Sequence, residues 1–225
     1  MLSIIHSKIS LLYGSMNQEL VEQHLSCKYI KPNNIVLEIG GNLGRNALVI
    51  SNILDNETNL VTLEPNKEYY NKLVKNRDHN NKLFNVDNCC LSINPVYILD
   101  SRSFLEDKLD DIFPISFNDL DTSKANSANI INYHDLCNKY NLIFDTLCID
   151  CEGAFYYIIK DMPYIIDNIK LIIIENDYEN LAHYVYVENI FKTSGFKCVE
   201  TLELHNPPWD APCKDFFYQV WCKVI

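Results

Sequence analysis

Positive charge is the first scarcity in this 225-residue chain: 19 Lys and Arg stand against 30 Asp and Glu, a net charge of −11. Binding by neutralising phosphates needs the opposite balance, so neither nucleic acid nor an anionic membrane is expected as a partner. Glycine and proline are sparse, six and eight residues, which excludes collagen-like and low-complexity chains. No run of 18 consecutive apolar residues occurs, so no bilayer-spanning helix is expected. The start, M-L-S-I-I-H-S-K-I-S, lacks a basic leader and makes a poor signal peptide. Cysteine is plentiful, but nine residues at irregular spacing suggest no disulfide framework. Cys148 and Cys151 have C-x-x-C spacing without a second pair, so reduced, mostly buried thiols in a cytoplasmic protein are the expectation. With 48% hydrophobic residues, what remains is a packed globular chain of about one domain.

Apolar runs of strand length alternate with helix-length segments, the pattern of a mostly parallel sheet covered on both faces. Strands are expected over 35–39, 60–63 and 82–86, with helices over 45–54 and 69–74 between them. This is one strand–helix–strand–helix–strand half of a Rossmann-like α/β fold. Further on, a short helix over 134–140, a strand over 145–149, a helix over 155–160 and a doubly buried strand over 171–174 follow. A helix over 181–193 stops at Gly195, and 197–204 with 216–224 alternate like an antiparallel pair at the C-terminal end. Residues 1–30 are expected to hold one helix, over 18–25, and an arm that packs on the domain or bridges a homodimer. The domain proper then spans 31–225. The polar stretch over 119–129 reads equally as a surface insertion or as part of a lid over 100–130, and 96–99 as an extra strand.

The segment V-L-E-I-G-G-N-L-G at 36–44 is a strand ending in glycines that open a helix. Such a turn can bring backbone N–H groups against a nucleotide or nucleoside, because glycine lacks the Cβ that blocks approach. G-x-G-x-x-G spacing and a Gly-Lys-Ser/Thr ending are both missing, so a phosphate is not the expected ligand. Glu64 closes the second strand twenty residues after Gly44, where a carboxylate can accept hydrogen bonds from two ribose hydroxyls. Glycine turn and acid together point to an adenosine.

Four segments resemble the FkbM-type group of class I S-adenosylmethionine-dependent methyltransferases. E-I-G-G-N-L-G at 38–44 resembles its donor turn, L-E-P-N at 63–66 its Glu-Pro strand end, and N-C-C-L-S at 88–92 its small-residue third strand. D-T-L-C-I-D-C-E-G-A at 145–154, followed by I-I-I-E, resembles the signature that separates this group from other methyltransferases. Three departures stand out: Gly41 replaces an Ala, Cys148 a common Lys, and Phe155 a second acid. The resemblance implies a mostly parallel seven-stranded sheet with one antiparallel C-terminal strand. It implies S-adenosylmethionine as donor, with Glu38, Gly40, Gly41, Asn42 and Gly44 around its methionine end, Glu64 on the ribose, and Asn88 and Cys89 near the adenine. It also implies a sugar or glycan-precursor hydroxyl as acceptor.

Methyl transfer is an in-line displacement that needs the reactants aligned and the acceptor proton removed. Asp150, at the carboxyl end of its strand, is the candidate base and also a donor contact. Glu175 and His183, leaving the next strand, are further catalytic candidates. Asp150, Glu175 and Asn176 form an all-oxygen set of the kind Mg²⁺ accepts. The plainer alternatives are that Asp150 and Glu152 cap a helix and that Glu175 merely ends a strand. Trp209 with Pro207, Pro208 and Pro212 reads as a packed turn or as an acceptor wall. Methylation of RNA, a lipid or a polyketide, and a catalytically silent scaffold, are the rival readings.

Overall fold

The computed structural model describes residues 1–99, 125–205 and 211–224. Its strands are β1 Val36–Ile39, β2 Leu60–Leu63, β3 Asn85–Asp87, β4 Cys90–Leu91, β5 Tyr97–Leu99, β6 Ala125–Ser127, β7 Ile130–Ile131, β8 Thr146–Ile149, β9 Leu171–Glu175, β10 Phe196–Leu202 and β11 Tyr218–Lys223. Seven of them form one sheet in the order β10-β11-β9-β8-β1-β2-β3. Strands β1, β2, β8 and β9 are short and apolar because both faces are covered, and they pair in parallel. β11 runs antiparallel to both neighbours, and a bulge between Cys198 and Glu200 interrupts its pairing with β10. The chain therefore crosses from β1 outward to β3 in one direction and from β8 outward in the other. The carboxyl ends of β1 and β8 meet at this switch, where ligands of such sheets bind.

The helices are α1 Leu2–His6, α2 Leu20–Tyr29, α3 Arg45–Ile53, α4 Lys67–His79, α5 Tyr133–Tyr140, α6 Phe155–Asp161 and α7 Leu181–Thr193. One face of the sheet packs a core with Leu136, Phe155, Phe191 and Trp221, from α5, α6, α7 and β11 in turn, and with Phe144 just before β8. The other packs Leu2, Ile5, Leu25, Leu48, Ile50 and Leu73, from α1 to α4. Asn66 starts α4 by accepting from the Glu68 and Tyr69 N–H groups. Helix α4 runs five residues beyond its expected end because its second half buries Asn76, a polar residue with no place in an apolar period.

The N-terminal thirty residues depart from expectation. They hold two helices, not one, and the arm packs on its own chain: Leu2, Ile5 and Ile9 join the core under α3. The strand expected over 96–99 forms, but β5 pairs antiparallel with β6 apart from the main sheet. The rest of the polar stretch and of the expected lid, residues 100–124, lies outside the described residues, as do Pro207, Pro208 and Trp209. Cys148 belongs to the core of α1 to α4, whereas Cys151 packs on the opposite core, so the C-x-x-C thiols point to different faces of the sheet. They do not converge on a metal. No described helix is long and apolar enough to cross a membrane.

Candidate functional site: the strand tips of β1, β8 and β9

The glycine turn is built differently from its sequence expectation. The N–H groups of Gly40 and Gly41 both donate to the Leu63 carbonyl, at 3.0 and 2.9 Å, and that of Gly44 donates to Gly41 O. The N–H of Asn42 donates to Glu64 Oε2 at 2.7 Å. Every one of these donors is spent inside the chain, so the turn is not an anion cradle. Glycine is required for packing instead: a Cβ on Gly40 would fall inside the Asp150 carbonyl, and one on Gly41 would strike Thr62 and Leu73. Gly40, at φ 95, also occupies a region that side chains disfavour.

Glu64 is 2% exposed, and its second oxygen accepts the Asn66 N–H at 2.7 Å. Burial lifts its pKa to about 7, while the two backbone hydrogen bonds work against that rise. A carboxylate has about four acceptor sites, so two remain for hydroxyls. Asn88 anchors the neighbouring segment by donating from Nδ2 to the carbonyls of Glu64 and Pro65. Cys89 is buried, its thiol pushed up to about 12 by that burial. On the other side of the turn, Glu38 accepts from Asn46 Nδ2 at 3.0 Å and Thr62 Oγ1 at 2.8 Å. Burial, reinforced by the charge of Glu22, raises it to about 8 despite those bonds.

Beside Gly40 opens a small cleft of about 20 Å³, lined by Glu22, Glu38, Asp150, Glu175 and Tyr218 among others. Ligand atoms of Glu22, Asp150 and Glu175 lie within 4.8 Å of one another. Asp150 is held there because its N–H continues the ladder to Ile39 O at 3.0 Å. All three pKa values are raised, by burial first and then, for two of them, by neighbouring carboxylates: Glu22 and Glu152 for Asp150, and Asp150 and Glu22 for Glu175. A hydrogen bond between Glu22 and Glu175 lowers the pKa of the first and raises that of the second. The arrangement favours a cation and disfavours an anion.

Two expected members are elsewhere. Asn176 is buried, but its amide donates to Phe216 O and Gln219 Oε1, which turns it toward β11 and out of the acid group. The three acids that do converge are Glu22, Asp150 and Glu175, and Mg²⁺ is not assigned to them. His183 stacks on Tyr156 with ring centroids 3.8 Å apart and does not line the cleft. Burial and nearby Lys160 lower its pKa. Pro212 lies in the turn before β11, with no described contact to the cleft.

Glu22 was not anticipated, nor were Glu19 and Arg45. Arg45 is 5% exposed and ion-pairs with Glu19, which also accepts from Asn42 Nδ2 at 3.2 Å. The only sequence signal was a helix bearing two acids, E-L-V-E at 19–22, in a segment with no motif. Nothing in that segment announces that it folds back over the strand tips.

No protein-family model matches this chain, and no curated protein is found related to it. Solved structures do match. The O-methyltransferase from Bacillus cereus, in complex with SAH, aligns over 100% of this chain and 90% of its own with 12% identity and a TM-score of 0.50. The precorrin-6y C5,15-methyltransferase from Geobacter metallireducens GS-15 aligns over 97% and 95% with 12% identity and a TM-score of 0.51. The ribosomal protein L11 methylase from Lactobacillus delbrueckii subsp. bulgaricus aligns over 95% and 82% with 11% identity and a TM-score of 0.51. At such identities the likeness is one of fold, and it agrees with the strand order and the single antiparallel strand seen here. The chain has the fold of the class I S-adenosylmethionine-dependent methyltransferases.

Proposed function

We propose that this chain transfers a methyl group from S-adenosylmethionine to a hydroxyl of a sugar or glycan precursor, as an FkbM-type enzyme. The observation that carries the donor half is the acid lining of the cleft at the tips of β1, β8 and β9. Glu22, Glu38, Asp150 and Glu175 suit a ligand bearing a sulfonium and an ammonium group, and they repel a dinucleotide. Glu64, with free acceptor capacity at the end of β2, suits the ribose. The acceptor half rests on the I-D-C-E-G-A segment and on the net charge of −11, which disfavours RNA.

When bound, the donor supplies an electrophilic methyl group on a cationic sulfur. Asp150 takes the hydroxyl proton as the new carbon–oxygen bond forms and the carbon–sulfur bond breaks, leaving a neutral thioether. Burial and neighbouring acids make its carboxylate a stronger base than an exposed one. Glu175 and Glu22 lie beside it, their own pKa values raised by burial.

Calorimetry with S-adenosylhomocysteine and transfer assays with labelled donor over a set of sugars test this reading. Wild-type protein is expected to bind the nucleoside, and Glu64→Ala to bind it about 10- to 100-fold more weakly. Asp150→Asn is expected to retain donor affinity while losing at least about 100-fold in turnover. A folded wild-type chain that binds no nucleoside would remove the donor half; donor turnover on every acceptor class except sugars would remove the acceptor half.

A further inference from the structure

We propose that Arg45 receives the α-carboxylate at the amino-acid end of the donor, and that residues 10–20 form a strap whose Glu19 carboxylate occupies that place until the donor displaces it. The assignment rests on the donor reading above. Buried arginines are rare unless paired, and the partners of Arg45 all come from the strap. Nε donates to Ser15 O at 3.1 Å, Nη2 to Gln18 Oε1 at 2.6 Å, and Nη1 to Glu19. Asn42 Nδ2 donates to the same Glu19 oxygen. A carboxylate thus already sits in a fork formed by Asn42, on the turn after β1, and Arg45, the first residue of α3. Their chemistry selects a carboxylate, and their position puts it at the edge of the cleft.

The strap is built to release. No residue from 10 to 20 is buried, whereas Ile9 on one side and Glu22, Gln23 and Leu25 on the other are. Leu11 and Met16 touch the core without being buried, and polar contacts hold the rest of the middle. Leu12 and Tyr13 N–H groups donate to Asn76 Oδ1, and the Ser10 N–H donates to Asn80 Oδ1. Segments held this way open locally at low cost while their buried flanks stay in place. Glu19 itself adopts φ 55, a left-handed conformation that costs a glutamate energy and that the ion pair maintains. The cleft, about 20 Å³, takes little more than a water, far less than the several hundred Å³ of a nucleoside site. Exchange of one carboxylate for another leaves Arg45 paired throughout.

The test measures affinities of S-adenosylhomocysteine and of 5′-methylthioadenosine, which keeps the nucleoside and lacks the carboxylate. Glu19→Ala is expected to bind S-adenosylhomocysteine about 5- to 10-fold more tightly than wild type, because the open strap is more populated. Adding Arg45→Gln to Glu19→Ala is expected to weaken S-adenosylhomocysteine about tenfold while leaving 5′-methylthioadenosine unchanged. Using the Glu19→Ala background separates a lost donor contact from a freed strap. Equal weakening of both ligands, or of neither, would overturn the role of Arg45, and unchanged affinity in Glu19→Ala would overturn the strap. Absence of binding by either nucleoside to any variant would overturn the donor reading and this assignment with it. Faster amide exchange over residues 10–20 in Glu19→Ala would then still report that the ion pair holds the strap.

Discussion

Glu38 and Glu64 give the fold an unusual pH dependence. Their folded pKa values of about 8 and about 7 lie above the ordinary 4.5, with burial the leading cause in both. Below pH 4.5 the folded and unfolded chains are equally protonated at these positions. As pH rises from there to about 8, the unfolded chain loses the two protons first, so stability declines by a few kcal/mol and then levels off. Urea midpoints measured at pH 5 and pH 8.5 are expected to differ in that direction, and Glu38→Gln is expected to flatten part of the slope. A rise in the midpoint over the same range would contradict it. At this scale the sequence revealed the strand-end acids and not their surroundings. Asp150, Glu175 and Glu64 stand where a strand-end reading puts them, because a strand tip can be located by counting from an apolar run. Glu22 and the partners of Arg45 owe their places to how residues 10–22 pack against the strand tips, and no local pattern encodes where such a segment lands. The same holds for the turn: glycine spacing is visible in the sequence, but whether the missing Cβ makes room for a ligand or for the Asp150 carbonyl is not.

Among the elements, the first helix is the one whose absence from a sequence reading has a clear cause. Leu2, Ile5 and Ile9 repeat at helical spacing, but Ser3, His6, Ser7 and Lys8 break up the apolar stretch, and a five-residue helix offers too short a window to judge. Its contribution is measurable. Ile5 is 6% exposed and Ile4, its neighbour, 61%. Ile5→Ala is expected to lower unfolding free energy by about 2 kcal/mol, and Ile4→Ala to change it by less than about 0.5 kcal/mol, read from denaturant titration. Equal effects would mean that the arm is not docked in solution. The central strands and α7 were legible because doubly buried strands are continuous aliphatic runs and α7 is bounded by Asn180 and Gly195. Of the small pairs only β5 was legible, over 96–99; β4, β6 and β7 were not, since two or three residues carry no periodicity.

For the molecule as a whole, its nine thiols serve as a burial map. Cys89, Cys148 and Cys213 are buried, and the other six are partly exposed. An Ellman titration of the native protein is expected to find those three unreactive over the period in which the others react, and to count all nine in denaturant. Rapid modification of Cys148 would mean that the core between α2, α3 and the sheet opens readily.

One contact reaches furthest. Because the missing side chain of Gly40 lets the first strand's turn rest directly on the Asp150 backbone, the glycine turn and the Asp150 segment share a single seat. In the proposed reaction their spacing would then be inherited from a backbone-to-backbone touch, so acceptor preference can drift through outlying loops while the attack distance stays put.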